Sequence, residues 1–162
     1  MKKIGLIGGT GPESTLLYYK ELNTKIDEAT GGKNMPEISI ESVNFRKAWE
    51  LVSSERHVEL AEYLSEKVKH LVASGAEVIA LTAATMHLVF DEIESNTKVL
   101  LVSIPKTVCD EVVEKGYKKV GLLGTIFTME QDFMKKDLRE AGIDVIVPDQ
   151  SDRELIANRI YE

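Results

Sequence analysis

Short apolar runs alternate with amphipathic segments along the whole chain, and glycines close most of the amphipathic segments. Short runs bounded by turn residues are typical of strands, and apolar residues spaced three and four apart are typical of helices. A glycine directly after such a segment is typical of a helix C-terminus. Strands that alternate with helices favour a parallel sheet with helices on both faces. The sequence therefore predicts an α/β fold of parallel-sheet, three-layer architecture.

The same patterns predict six strands and six helices. The predicted strands lie at residues 3–7, 37–43, 77–81, 98–102, 119–123 and 143–147. The predicted helices lie at residues 12–29, 55–74, 85–94, 106–115, 129–140 and 151–161. In the second helix, one face is apolar and is expected to be buried; it consists of Leu60, Leu64, Val68 and Leu71.

The chain also contains an internal repeat. The segment that begins at Lys2 and reads KKIGLIGGT aligns with the segment that begins at Lys118 and reads KKVGLLGT. Many parallel strands are apolar and end in glycine, so coincidence is the alternative to duplication. Duplication predicts two pseudo-symmetric lobes, a first lobe at residues 1–115 and the start of a second at residues 116–162. The second lobe is expected to be incomplete, because the counterpart of the strand at residue 77 would fall beyond the last residue.

Charge and cysteine content exclude several classes of protein. The formal net charge is -7, which argues against binding nucleic acid through phosphate neutralisation, and no apolar run is long enough to cross a membrane. The single cysteine, Cys109, excludes an internal disulfide and a multi-cysteine metal site. Its apolar neighbours predict a small core residue. We see no secretion signal at the N-terminus, so the sequence predicts a cytoplasmic protein with no metal site.

Ligands of doubly wound sheets bind where strands lead into helices, and the first such turn is rich in glycine. It runs from Gly8 to Ser14 and includes Thr10 and Gly11, with Thr10 and Glu13 at capping-box spacing. A dinucleotide-binding fingerprint would need glycine at position 14, so a nucleotide-binding domain is the less favoured interpretation. A tight turn that serves packing alone is the other alternative.

Two later turns carry threonine hydroxyls. After the strand at residues 119–123, Thr125 and Thr128 are candidates to bind a carboxylate or phosphate, and Thr128 and Gln131 have capping-box spacing. The alternative for them is a helix cap alone. After the strand at residues 77–81 come Thr82, Thr85 and His87. His87 is a candidate acid or base, with a structural hydrogen-bonding role as the favoured alternative.

One further candidate follows the second predicted strand. Arg46, which comes just after Asn44, is a candidate clamp for a carboxylate because guanidinium binds carboxylates in a bidentate manner. A surface arginine with no ligand is an equally good interpretation of the sequence alone.

Taken together, these motifs resemble the aspartate/glutamate racemase family over the whole chain. The resemblance rests on the IGLIGGTGPEST run from Ile4 to Thr15, on TMH at residues 85–87, and on GLLGT with TME from Gly121 to Glu130. It implies a cofactor-independent amino-acid racemase fold with two pseudo-symmetric lobes, commonly a homodimer. The implied substrate is a small acidic amino acid, aspartate or glutamate, and the substrate-binding residues implied are Thr10, Gly11, Asn44, Arg46, Ala84, Thr85, Thr125 and Thr128.

The chain departs from the family at both proton carriers. Inversion of a Cα centre needs one group to remove a proton and another to deliver one to the opposite face. The family's Cys-Asn-Thr-x-His pattern places the first carrier at Ala83 and the asparagine at Ala84, and alanine carries no transferable proton. The second carrier, in a Gly-Cys-Thr-Glu stretch, has no counterpart in this sequence. Thr82 and His87 are the remaining catalytic candidates.

The resemblance and its departures leave two hypotheses. The first is a racemase homologue with weak or no activity. The second is a non-catalytic module that binds a small acidic amino acid. Proton exchange at Cα distinguishes them.

Overall fold

The structure is a computed structural model that describes residues 1–160, so the last residue of the predicted helix at 151–161 lies outside the described residues. Its strands are β1 (Ile4–Gly8), β2 (Ile38–Ser42), β3 (Val78–Leu81), β4 (Leu100–Val102), β5 (Lys119–Gly121) and β6 (Asp144–Ile146). Its α-helices are α1 (Pro12–Thr30), α2 (Phe45–Ser53), α3 (His57–Ala73), α4 (Phe90–Ser95), α5 (Ile104–Glu114), α6 (Ile126–Glu130), α7 (Lys136–Glu140) and α8 (Gln150–Ile160). A 3-10 helix spans Ala84–Val89. The predicted parallel α/β fold is confirmed.

The chain forms two compact units. Unit 1 consists of Met1–Ala83 and Val89–Val102, and unit 2 consists of Ala84–Leu88 and the chain from Ser103 onward. The lobe boundary predicted between residues 115 and 116 therefore falls later than the division into compact units. Helix α5 packs against α7 and belongs to unit 2. The division into duplicated lobes stays a prediction.

Unit 1 is built on a four-stranded parallel sheet in the order β2-β1-β3-β4. Helix α3 packs against β1 and β2, and its predicted apolar face is buried as expected. Leu6 and Ile79, from the two central strands, are fully buried with it. Because all four strands are parallel, their carboxyl ends share one edge of the sheet, and this edge carries the loops that matter below.

Unit 2 contains a two-stranded parallel sheet of β5 and β6. Its apolar cluster consists of Cys109, Leu138 and Ile143, and Val120 and Val145 from the two strands pack against it. The cluster joins α5, α7 and the sheet. Cys109 is thus a core residue, as predicted.

Three sequence predictions about helices are corrected by the structure. The chain forms an additional helix, α2, and it is capped by the Asn44 side chain, which accepts from the N–H groups of Arg46 and Lys47. The single helix predicted at 129–140 is divided into α6 and α7. The amphipathic segment that predicts the first helix would be expected to bury its apolar residues, but in α1 these are largely exposed, with Leu16 at 68% and Leu17 at 57%.

Among the residues that the structure describes, no helix is both long enough and apolar enough to cross a membrane.

Candidate functional site

The turn after β1 is shaped by a glycine and a threonine hydroxyl. Gly9 has a φ of +87°, and a Cβ at this position would lie 2.5 Å from Ser42 Oγ and 2.8 Å from the Val43 carbonyl oxygen. The position therefore admits only glycine. The N–H of Gly9 donates to Thr15 Oγ1 at 3.0 Å. The turn is consequently fixed from both sides, by β2 and by the first turn of α1.

Thr82, at the end of β3, continues this network. Its hydroxyl donates to the Ile7 carbonyl oxygen at 3.3 Å and lies 3.2 Å from Thr15 Oγ1. Because the proton of Thr82 goes to Ile7, Thr15 is the donor between the two hydroxyls. Thr15 and Thr82 are both buried. The hydroxyl of Thr82, a catalytic candidate from sequence, is therefore engaged within unit 1, and its catalytic role stays a prediction.

Thr10 and Gly11, two predicted substrate contacts, lie just before α1 and are partly buried. The helix starts at Pro12, with Gly11 as its N-cap at a φ of 109° and with no side-chain hydrogen bond to the cap. The capping box predicted for Thr10 and Glu13 is therefore wrong, because Thr10 precedes the cap by one residue.

Asn44 and Arg46 lie at the start of α2. The Asn44 side chain caps this helix, and its backbone N–H donates to the Tyr63 hydroxyl at 2.9 Å. Both residues are exposed. Within residues 1–160, the Arg46 guanidinium forms no ion pair. The Asn44 side chain is thus engaged as a helix cap, whereas the Arg46 guanidinium can bind a carboxylate.

Ala83 and Ala84 follow β3 directly, and both are partly buried. Their methyl groups cannot carry a proton. The structure thus brings no acid or base to these two positions, where the resemblance places the first proton carrier and an asparagine.

Unit 2 contains a cluster of three hydroxyls, from Thr85, Thr125 and Thr128, which we call the threonine cluster. Thr125 Oγ1 is central, at 3.1 Å from Thr85 Oγ1 and 3.1 Å from Thr128 Oγ1. Thr85 and Thr128 are buried, and Thr125 is partly exposed. The structure thus brings together three of the predicted substrate-binding residues, although Thr85 lies 40 positions from Thr125 in sequence.

The cap of α6 differs from the sequence prediction. Thr125 is the N-cap, and its Oγ1 accepts from the Thr128 N–H at 3.2 Å. Gln131 lies at the other end of this short helix as its C-cap. The capping box predicted for Thr128 and Gln131 is therefore wrong, because the helix begins three residues earlier than that box requires.

His87 lies in the 3-10 helix, buried in unit 2. Its Nε2 accepts a hydrogen bond from the Ile104 N–H at 3.1 Å, at the first residue of α5. A ring nitrogen that accepts cannot carry a proton, so in this arrangement the ring is neutral with its proton on Nδ1. This hydrogen bond joins His87 to the α5 backbone, and the role of His87 as an acid or base stays a prediction.

Cys109 cannot serve as an easily deprotonated thiol. Burial raises the pKa of its thiol, and the carboxylates of Asp137 and Asp110 raise it further. A proton carrier in a racemase has to exchange its proton readily near neutral pH. Cys109 therefore packs the core of unit 2 and is no substitute for the missing cysteines.

Lys135 is a buried charged residue that sequence reasoning missed. Its Nζ donates to the carbonyl oxygens of Met129 and Glu130, both at 3.0 Å, at the C-terminal end of α6. Burial lowers the pKa of the Lys135 ammonium, and the nearby Arg139 contributes to the same shift. No motif marks this lysine, since its role depends on the break between α6 and α7.

The described residues contain no group of three or more His, Cys, Asp or Glu side chains that could hold a metal ion. What the predicted site residues offer is hydroxyl donors, in the threonine cluster, and an exposed guanidinium. Such groups bind carboxylates and do not by themselves move a proton from carbon.

Comparison with known proteins gives the family directly. The model for the family described as Asp/Glu/Hydantoin racemase matches residues 7–161. A candidate Asp/Glu racemase from Yersinia pestis is 38% identical, with a TM-score of 0.91, and the match covers 99% of this chain and 70% of that one. An aspartate racemase homologue from Pyrococcus horikoshii OT3 is 41% identical, with a TM-score of 0.83 and coverage of 100% and 71%.

A more distant structure, an aspartate racemase from Picrophilus torridus, shares the fold at 21% identity. Its TM-score is 0.74, and the match covers 98% of this chain and 73% of that one. The family match spans most of the chain and agrees with the residues that carry the resemblance. The chain therefore belongs to the Asp/Glu/hydantoin racemase family.

Proposed function

We propose that this chain binds a small acidic amino acid, aspartate or glutamate, through hydroxyl donors, and that it racemises this ligand weakly or not at all. The observation that carries the proposal is the threonine cluster. Three hydroxyls supply three protons, and the two oxygen–oxygen hydrogen bonds of the cluster use two of them. One hydroxyl proton is left to donate to an oxygen from outside the cluster.

A carboxylate is the acceptor that suits this donor best. A hydrogen bond to an ionised oxygen is shorter and stronger than one to a neutral oxygen, and a largely buried setting strengthens it further. Thr85 and Thr128 are nearly inaccessible, so the partly exposed Thr125 is the point of access. The exposed guanidinium of Arg46, which the resemblance implies as a clamp, is a further candidate for a carboxylate.

We expect weak or absent catalysis because the candidate positions offer no side chain with a readily transferable proton. Ala83 and Ala84 have no exchangeable proton, and the Thr82 proton is donated to the Ile7 carbonyl. Cys109 is buried with a raised pKa. Inversion at Cα needs two proton carriers on opposite faces, and loss of one typically costs a factor of about 100 to 10,000 in rate.

Binding is tested by calorimetry with D- and L-aspartate and D- and L-glutamate. We expect the Thr125→Val variant to lose affinity by about tenfold, since it removes a charge-assisted hydrogen bond. Thr125→Ser keeps the hydroxyl and should bind as the unmodified chain does. Thr107→Val, at an exposed hydroxyl on α5 that donates to Ser103, is the remote control. Equal affinity for all four proteins would contradict the role of the cluster.

Catalysis is tested by exchange of the α-proton in deuterated water, followed by NMR. We expect exchange at or near the uncatalysed rate, and we expect Ala83→Cys alone to leave it there, because one carrier cannot serve both faces. High turnover in Ala83→Cys would contradict the two-carrier argument. Binding without exchange would favour the non-catalytic module, and exchange removed by Thr82→Val or His87→Gln would favour the enzyme.

Independence from cofactors, a homodimeric state and a cytoplasmic location are part of the same proposal. For the dimer, the support within the molecule is the exposed apolar surface of Leu16 and Leu17 on α1. Contiguous exposed apolar side chains often mark contacts between proteins. Light scattering on the unmodified chain and on Leu16→Glu tests this, with a monomeric unmodified chain as the contrary outcome.

A further inference from the structure

Helix α6 is short, and a side chain holds it at each end. It has five residues, and an isolated helix of that length is unstable in water. At its start, the N-cap Thr125 accepts from the Thr128 N–H at 3.2 Å. At its end, Lys135 Nζ donates to the carbonyl oxygens of Met129 and Glu130, both at 3.0 Å. The position of α6 therefore depends on these two side chains.

Lys135 supplies donors that the helix itself lacks. The last four carbonyls of an α-helix have no intrahelical partner, and Lys135 satisfies two of those in α6. Hydrogen bonds from an ammonium group are stronger than those from a neutral donor, and Lys135 is only 6% exposed, so water competes little for them. The Lys135 N–H donates to the Asp132 carbonyl at 2.8 Å, in the turn that brings the lysine back to α6. The ammonium is thus fixed against the end of the helix.

A path through Met129 connects Lys135 to the threonine cluster. The Met129 carbonyl accepts from Lys135, and the Met129 N–H donates to the carbonyl oxygen of Thr125 at 3.1 Å. Met129 is fully buried. Hydrogen bonds in series strengthen one another, so a change at Lys135 reaches the backbone of the central residue of the cluster.

A tight contact at Thr128 leaves little room for α6 to move. A Cβ placed on Gly124 would lie 2.7 Å from Thr128 Cγ2 and 2.9 Å from Thr128 Cβ, so the threonine packs directly against the glycine backbone. Thr128 Oγ1 lies 3.1 Å from Thr125 Oγ1. Hydrogen bonds weaken steeply once their geometry is distorted. A displacement of α6 would therefore disturb the hydroxyl pair.

We propose that Lys135 is the positioning residue of the threonine cluster, and that it holds α6 so that the Thr125 hydroxyl is presented to a carboxylate of the ligand. Lys135 acts through α6 and makes no contact with the ligand in this role. The part that concerns the ligand rests on the proposed function. The part that concerns α6 does not, since removal of the ammonium should loosen the cluster in the free chain as well.

The charge on Lys135 supplies a signature in the pH dependence. Burial lowers the pKa of its ammonium; Arg139 and Arg153 act in the same direction, and the carboxylates of Asp132 and Glu130 act against it. Loss of the proton replaces charge-assisted hydrogen bonds by weaker neutral ones, so ligand affinity should fall as the pH rises through the lowered pKa. Over the same range, deprotonation relieves the cost of burying the charge, so the free energy of unfolding should rise. A general loss of stability cannot produce this opposition.

The first test needs no ligand and follows amide hydrogen exchange by NMR. In Lys135→Met, we expect the Thr128 and Met129 amides to exchange about tenfold faster, and in Lys135→Arg we expect the original rates. Lys136→Met, the same substitution at the exposed neighbour, is the matched control and should change neither amide. The Leu122 amide, bonded across the β5–β6 sheet, reports opening of the unit as a whole. Unchanged exchange at Thr128 and Met129, or equal acceleration at Leu122, would overturn the proposal.

The second test measures affinity for D- and L-aspartate and glutamate by calorimetry. We expect Lys135→Met to bind about fivefold more weakly and Lys135→Arg to bind as the unmodified chain does at neutral pH. In the Thr125→Val background, Lys135→Met should cause no further loss, because the hydroxyl that Lys135 positions is then absent. The same fivefold factor in both backgrounds would show that Lys135 does not act through Thr125.

The third test compares the unmodified chain with Lys135→Arg from neutral pH to 10.5, the ordinary lysine pKa. Guanidinium stays charged throughout, so the affinity of the unmodified chain should fall relative to that of the variant. The ligand's own amino group titrates alike for both proteins and cancels in the ratio. A constant ratio would refute the role of the charge, even if Lys135→Met did not fold. Absence of ligand binding to every protein would refute the proposed function, and amide exchange would still decide whether Lys135 positions α6.

Discussion

The hydroxyl network of Thr15 and Thr82 gives a quantitative prediction for unit 1. Thr15→Val preserves shape but leaves the Gly9 N–H without its acceptor and removes the donor to Thr82. A stranded buried donor costs about 1–3 kcal/mol and a lost hydrogen bond about 1 kcal/mol. Because Gly9 is only partly buried, we expect a decrease of about 2.5 kcal/mol in the free energy of unfolding.

Thr82→Val should lower the free energy of unfolding by less than Thr15→Val does, although Thr82 is more deeply buried than Thr15. The Ile7 carbonyl keeps its hydrogen bond from the Thr82 backbone N–H at 3.0 Å. The Thr15 hydroxyl loses its acceptor, but its proton can rotate toward another one, which the fixed N–H of Gly9 cannot do. The expected decrease is about 1.5 kcal/mol. The double variant should lose about 3 kcal/mol, less than the sum, because both single variants break the same bond between the two hydroxyls.

Urea unfolding followed by tryptophan fluorescence measures these free energies, since the only tryptophan, Trp49, lies in unit 1. Thr24→Val, at an exposed position of α1, controls for helix propensity. A cost for Thr82→Val equal to or above that for Thr15→Val would refute the reasoning. So would strict additivity in the double variant.

Three further predictions concern titratable groups. The hydrogen bonds from His70 and Lys67 lower the pKa of Glu41 below its ordinary 4.5. The stability that the Glu41 carboxylate contributes, about 1 kcal/mol, is therefore complete above pH 4.5 and is lost as the pH falls through the lowered pKa. The difference in stability between the unmodified chain and Glu41→Gln, measured from pH 6 to about 3, should shrink accordingly. Burial lowers the pKa of Lys135, so the unfolded state binds more protons than the folded state between that lowered pKa and 10.5. In urea unfolding followed by circular dichroism, the stability of the unmodified chain relative to Lys135→Met should therefore rise with pH in this window. A stability difference that falls with pH would contradict this prediction. The thiol of Cys109, buried and with a raised pKa, should react with a disulfide reagent only as fast as the protein opens, with labelling in urea as the positive control.

The order of strands and helices could be predicted from sequence because it depends on local patterns. The face of α3 and the glycine that follows the helix are examples, since the spacing of four apolar residues decides which side is buried. The start of α2 also had a local signal, because Asn44 is a favoured N-cap residue ahead of the Ala48 and Leu51 that α2 buries.

Contacts between distant segments could not be predicted in this way. Thr15 and Thr82 meet only because β1 and β3 become parallel neighbours, which brings the first turn of α1 beside the end of β3. The break between α6 and α7 is similar, since neither proline nor glycine marks it. It is accompanied by the burial of Lys135 against the last carbonyls of α6, which composition alone does not reveal.

Unit 2 is discontinuous in sequence, and this has a consequence for synthesis on the ribosome. Its Ala84–Leu88 segment is made before the rest of the unit, which begins at Ser103. Until α5 emerges, His87 lacks the Ile104 N–H from which its Nε2 accepts a hydrogen bond in the finished protein. A nascent chain halted when Leu88 has left the ribosome but Ser103 has not should therefore expose this segment to chaperones, and release of the arrest should remove the exposure.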